Sequence, residues 1–121
     1  MSDKLTDRVI GAAIEVHRKL GPGLLESVYE EALCHELTLQ KTYFDRQIEI
    51  DVHYKGILIK GQRLELLVEK ELILELKCVL RLPEVAGAQV LFYLKVTGLK
   101  RALLLNFAEK RLVNGIQRFS L

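Results

Sequence analysis

Acidic side chains set inside apolar runs are the first residues of this chain whose types and spacing could do chemistry. In Leu72-Ile73-Leu74-Glu75-Leu76-Lys77-Cys78-Val79, strand alternation puts Leu72, Leu74, Leu76 and Cys78 on one face. Ile73, Glu75, Lys77 and Val79 share the other. Apolar residues flank both charges, so both faces are expected to be buried. An ionised group buried without a partner costs several kcal/mol, so Glu75 and Lys77 need each other or another charge. Taken alone, the pair reads more simply as an ion pair. As chemistry, it would be a metal-ligating carboxylate beside a catalytic ammonium.

The preceding segment, Arg63-Leu64-Glu65-Leu66-Leu67-Val68, holds a second carboxylate inside an apolar run. If Glu69-Lys70-Glu71 is a three-residue hairpin loop, Glu65 lies opposite Glu75 on the same face. A two-residue loop would put them on opposite faces, because a one-residue slip reverses every side chain. The loop lacks glycine, and turn chemistry leaves both registers open. Two facing carboxylates repel unless a cation or a proton lies between them, and oxygen ligands of this kind suit magnesium or manganese. A third carboxylate, Glu26, falls at the edge of an apolar helical stripe, with Glu30 and Glu31 turned more toward solvent. A solvated glutamate near a helix N-terminus is equally ordinary. Gln89 and Tyr93, four apart, share one side of a later helix. They could meet phosphate or orient a carboxylate, although packing is their simpler role.

The elements that must position these residues follow from the period of the apolar pattern. Val9, Ile10, Ala13, Ile14, His17 and Leu20 recur at helical spacing, and Gly21-Pro22-Gly23 stops that helix. A second helix starts near Leu24, with Leu25, Val28, Tyr29, Ala32 and Leu33 as its buried stripe. Gln47–Tyr54 alternates as a half-buried strand, and Lys55-Gly56 turns it into Ile57–Ile59. Strands follow over Arg63–Val68 and Leu72–Val79. Pro83 fits the first turn of a third helix that Gly98 ends after Thr97. Arg101–Phe107 reads as a buried strand and Arg111–Phe119 as another, with Asn114-Gly115 making either a hairpin turn or a bulge. The order is α-α-β-β-β-β-α-β-β, an α/β or α+β sheet with helices packed on it.

The 121 residues suffice for one domain, expected to span 1–121, and half of them are hydrophobic. The start, MSDKLTDR, is polar, and no apolar run approaches the ~18 residues of a membrane span. A cytoplasmic protein without a membrane role is expected. Cys34 and Cys78 have no metal-like spacing and read as free thiols. His17 falls on an apolar helix face and reads as a packed histidine, so no zinc site is expected. Residues 1–80 carry 11 Lys/Arg against 14 Asp/Glu, and residues 81–121 carry 7 against 2. A basic C-terminal third could contact phosphate beside an acidic metal site, although ordinary surface charge explains it as well.

In Leu20-Gly21-Pro22-Gly23-Leu24-Leu25-Glu26-Ser27-Val28-Tyr29, Gly23, Glu26 and Tyr29 spell G-x-x-E-x-x-Y. Together with Ile10–His17, Tyr54-Lys55-Gly56, Glu75-Leu76-Lys77, Ala88–Leu94 and Leu103–Phe107, this resembles the small bacterial GxxExxY proteins of the PD-(D/E)XK nuclease superfamily over nearly the whole chain. The resemblance implies a mixed β-sheet flanked by helices and a Mg²⁺- or Mn²⁺-dependent hydrolase of nucleic acid, DNA or RNA. By it, Glu26 matches the helix carboxylate, Glu75 and Lys77 the E-x-K, and Gln89 the glutamine of the following helix. Glu65 stands where the family usually has a metal-binding aspartate. Glu65, Glu75 and the backbone carbonyl of Leu76 would then hold the ion. Tyr93, Lys95, Lys100 and Arg101 are candidate nucleic-acid contacts. One such site cuts one strand, so a homodimer would suit a duplex. The alternative is a catalytically silent module of this fold that binds nucleic acid or a protein.

Overall fold

The computed structural model describes residues 3–121. Met1 and Ser2 of the expected 1–121 domain, which begin the polar N-terminal stretch, lie outside the described residues. The described elements are α1 (Lys4–Leu20), α2 (Glu26–Leu39), β1 (Phe44–Tyr54), β2 (Ile57–Val68), β3 (Leu72–Lys77), α3 (Val85–Thr97), β4 (Arg101–Asn106) and β5 (Ile116–Ser120). A short 3-10 turn at Leu112–Gly115 precedes β5. The strands form one mixed sheet in the order β1-β2-β3-β4-β5, with β3 and β4 parallel and the other neighbours antiparallel. The α+β class and mixed sheet expected from the sequence are present.

The expected strands Ile57–Ile59 and Arg63–Val68 run on as one, β2. Two of its residues, Lys60 and Gly61, stand opposite Asp51 where the register shifts, and Gly61 takes φ +116°. A glycine bulge therefore absorbs what reads in sequence as a break. Lys55 and Gly56 both have positive φ, as the tight turn between Tyr54 and Ile57 requires.

Two apolar cores cover the two faces of the sheet. On one, Val9, Ala13, Val16, Tyr29, Leu33 and Leu37 from α1 and α2 pack on Leu66, Val68, Leu74, Leu76, Leu103 and Leu105. On the other, Ala86, Val90, Tyr93 and Leu94 from α3 pack on Ile50, Leu64, Ile73, Ala102 and Leu104. The central strands β3 and β4 are buried on both faces, which is why they read as unbroken apolar runs. Among the described residues, no helix is long and apolar enough to cross a membrane.

Alternation fails again at Glu65. Leu66 and Val68 face α1 and α2, yet Leu64 joins the α3 core. Between them sits Glu65. Arg46 pairs with Leu66 and Ile48 with Leu64, but Glu65 and the intervening Gln47 are not paired, and Gln47 has φ 52°. The β1–β2 ribbon is distorted at the residue the sequence marks as chemical.

Candidate active site

The register of β2 on β3 is Val68↔Leu72, Leu67↔Ile73 and Leu66↔Leu74, so the hairpin loop is Glu69-Lys70-Glu71. Glu69 and Lys70 adopt left-handed φ, and the Glu71 N–H donates to the Val68 carbonyl. Two non-glycine residues can take this conformation at modest cost, so the absent glycine did not exclude the three-residue turn. The next pair along the register would be Glu65 and Glu75, where the ladder stops.

Side chains take over there. The Glu65 N–H donates to Glu75 Oε2 at 3.1 Å, and the Leu76 N–H donates to Glu65 Oε1 at 2.7 Å. An extended residue projects its N–H and C=O from the same edge, so the Leu76 carbonyl also points toward Glu65. Glu75 is 3% exposed. Burial first, then the negative charge of Glu65, pushes its carboxyl up to about 8. Burial also pushes Glu65 up to about 7, against the pull of the Leu76 N–H. Burial and their mutual repulsion thus favour the neutral forms of both groups more than in ordinary carboxylates.

The other residues come from the first turns of two helices and the end of β3. Glu26 is the first residue of α2, and Lys77 is the last of β3. With Gln89 of α3 they line an open cleft of about 380 Å³, completed by Val79, Pro83, Val85 and Ala86. Burial raises the Glu26 carboxyl, opposed first by the Lys77 charge. The fold thus gathers Glu26, Glu65, Glu75 and Lys77 at the splayed end of β2 and β3, with Gln89 at the cleft rim. The buried apolar positions flanking Glu75 leave it in low dielectric beside Lys77, as strand alternation implied.

The family model of the PD-(D/E)XK nuclease superfamily matches residues 3–119. The chain belongs to this superfamily. No curated protein and no solved structure matches it. PD-(D/E)XK nucleases typically use divalent metals. Among the described residues, no group of three or more His, Cys, Asp and Glu is gathered as a metal site. The donor chemistry nevertheless fits a hard cation: two carboxylates meet where β2 and β3 part, and strand geometry puts the Leu76 carbonyl on the same edge of β3 as its N–H. Each carboxylate commits one oxygen to a backbone N–H and has a second to offer.

Other residues of the PD-(D/E)XK chain lie elsewhere than the sequence pattern suggested. Tyr93 is 2% exposed and its hydroxyl donates to Gln62 Oε1, so it packs beneath the carboxylates instead of facing outward. Lys100 and Arg101 sit where β4 begins, level with Leu72, and Arg101 pairs with Asp3. Lys77 is five residues further along β3, roughly 17 Å at strand rise. Lys95 is exposed on α3. Glu30, placed toward solvent by the helical wheel, is instead buried and accepts from Arg46 and Gln47. The stripe of α2 is set by Tyr29, Leu33 and Leu37, which leaves Leu25 75% exposed and turns Glu30 to β1. His17 is packed as expected, its Nε2 2.8 Å from the Glu109 carbonyl. Sequence reasoning passed over Asn106, a polar residue closing a buried strand, whose position at the end of Leu103-Leu104-Leu105 was its one signal.

Proposed function

We propose that this chain is a metal-dependent phosphodiesterase acting on nucleic acid, a single domain over residues 1–121 of the GxxExxY type. The observation that carries the reading is the meeting of the Glu65 and Glu75 carboxylates through the Glu65 and Leu76 N–H groups, on the strand that brings Lys77 to a cleft shared with Glu26 and Gln89. Glu65, Glu75 and the Leu76 carbonyl would hold Mg²⁺ or Mn²⁺. The ion supplies Lewis acidity and makes bound water more acidic. Lys77 holds the attacking water by hydrogen bonding and offsets the negative charge that develops on phosphorus-bound oxygens. Glu26 orients water opposite Lys77. Gln89 donates to a phosphate oxygen from the rim, and Lys95 offers charge further along α3.

The test is cleavage of labelled single- and double-stranded DNA and RNA with Mn²⁺ or Mg²⁺. Wild type should cut, and Lys77→Ala should lose at least about 100-fold. If wild type and Glu65→Asp are both silent in every lane, the hydrolase reading falls.

A second reading, a silent module that binds nucleic acid or a protein, is favoured by one observation. Glu65 and Glu75 exchange hydrogen bonds with backbone N–H groups, a closed arrangement that a cation must reorganise. The added methylene of Glu65 relative to the family's aspartate permits that reach. A misplacement of about an ångström can cost on the order of 100-fold in rate. Under this reading, Glu65→Asp cuts where wild type does not.

A homodimer belongs to the same proposal. Tyr54, Ile57 and Ile59 on the β1–β2 ribbon and Leu91, Phe92 and Val96 on α3 leave apolar side chains exposed, a kind of surface that a second copy would cover. A cytoplasmic location is supported by the free thiols Cys34 and Cys78.

A further inference from the structure

The signature tyrosine, Tyr29, does not face the cleft. It is fully buried, and its hydroxyl is bonded twice to the loop before α2: it donates to the Gly21 carbonyl at 2.5 Å and accepts from the Leu24 N–H at 3.1 Å. That loop needs tethering. Gly23 has φ +98°, and Leu25, the residue before α2, has no side-chain oxygen to cap the helix. Glu26 follows directly, so its position depends on how this loop is held.

The ring of Tyr29 reaches the residue that holds the end of β3, behind the cleft. It stacks on Phe107 with centroids 4.5 Å apart and planes 14° apart. The Phe107 N–H donates to the Lys77 carbonyl at 2.8 Å. Its neighbour Asn106 grips the backbone just beyond Lys77. Asn106 Nδ2 donates to the Val79 carbonyl at 2.9 Å, and Asn106 Oδ1 accepts from the Val79 N–H at 3.2 Å and from the Ala108 N–H at 3.2 Å. A shorter link runs parallel to this one, since Cys78 Sγ donates to the Leu24 carbonyl at 3.2 Å. Leu24 is thus fixed at its N–H by Tyr29 and at its carbonyl by the residue after Lys77.

From these contacts we infer that Tyr29, Phe107 and Asn106 form a buried strut that sets the spacing of Glu26 from Lys77 across the cleft. They are positioning residues and touch no substrate. Tyr29 joins the turn to β4 through Phe107, and Asn106 joins β4 to the exit of β3. Glycine, glutamate and tyrosine of the signature then have distinct tasks: Gly23 permits the turn, Glu26 faces the cleft, and Tyr29 fixes the turn to Phe107 behind Lys77. Solid packing transmits such displacements because buried rings have little room to yield.

The inference rests on the nuclease reading only for its consequence in rate, and the experiment separates the two. Tyr29→Phe keeps the ring on Phe107 and removes both hydroxyl bonds, and Cys78→Ala removes the parallel link. In the full chain, amide hydrogen exchange and the Lys77 Cε–Hε NMR resonance are followed for each variant and for the double variant. The strut requires about tenfold faster exchange at Phe107 and Val79 in Tyr29→Phe, with the Leu74 amide unchanged, and a shifted Lys77 resonance. The double variant should exceed the sum of the singles. In cleavage, kcat should fall about tenfold or more with KM unchanged. Faster exchange confined to Leu24, with Lys77 unmoved, would overturn the strut. If neither wild type nor Glu65→Asp cuts while the exchange and Lys77 effects appear, the strut stands and the hydrolase reading fails.

Discussion

Glu65 and Glu75 oppose each other at the point where β2 and β3 part, and their protonation ties the site to pH. Their folded values, about 7 and about 8, lie above the ordinary 4.5. The native state therefore binds more protons than the unfolded chain between those limits. The pair contributes its full stability below about pH 4.5, and the contribution is lost as pH rises through 7 and 8. In EDTA, urea unfolding should show stability falling from pH 5 to pH 9 by an amount on the order of a few kcal/mol. Glu75→Gln should flatten that slope, and a slope unchanged in the variant would contradict the assignment. Divalent ions should restore stability chiefly at the alkaline end, where both carboxylates are free to bind them.

At the scale of elements, the site depends on strands that end and helices that begin in the right places. The distortion at Gln47 and Glu65 frees the Glu65 N–H for Glu75, and the ribbon beyond it turns Leu64 toward α3. Beside that distortion, Arg46 of β1 bridges Glu30 and Glu31 of α2, at 2.7 Å and 2.8 Å. Only Glu30 is buried, so only Glu30 suffers when the arginine is removed. Arg46→Ala should cost about 1–3 kcal/mol by leaving that carboxylate without a countercharge, with Arg46's own partial exposure favouring the lower half. Glu31→Ala should leave the urea midpoint unchanged. Equal losses in the two variants would mean that the bridge acts through its exposed half.

For the whole molecule, the exposed apolar ribbon and the outer side of α3 make a prediction about assembly. α3 is apolar on both its buried and its outward sides: Val90, Tyr93 and Leu94 pack inward, while Leu91, Phe92 and Val96 are each at least 40% exposed. A helix apolar all round is expected to be covered. Sedimentation equilibrium should give twice the 13.8 kDa chain mass, and Phe92→Lys or Ile57→Lys should return the monomer. A wild-type monomer at all concentrations would remove the homodimer from the proposal. Overall charge has less to say, because the basic residues Lys100 and Arg101 stand at the far end of β4 from Lys77, with Arg101 held by Asp3.

The amino-acid sequence by itself determined the element order, the apolar identity of β3 and β4, the stops at Gly21 and Gly98, and the carboxylates and lysine set inside buried strands. Period and burial are local properties, and a charge inside an apolar run is visible without knowing its neighbours. The facing of Glu65 and Glu75 stayed open, since it turned on a loop of non-glycine residues able to adopt left-handed backbone. Tertiary structure alone decided that register, the ribbon distortion at Glu65, the burial of Glu30 against Arg46, and the contacts of Tyr29 with Phe107 and of Asn106 with Val79. Those contacts join residues far apart in the chain, and their energies come from packing and hydrogen bonds that exist only once the sheet has closed.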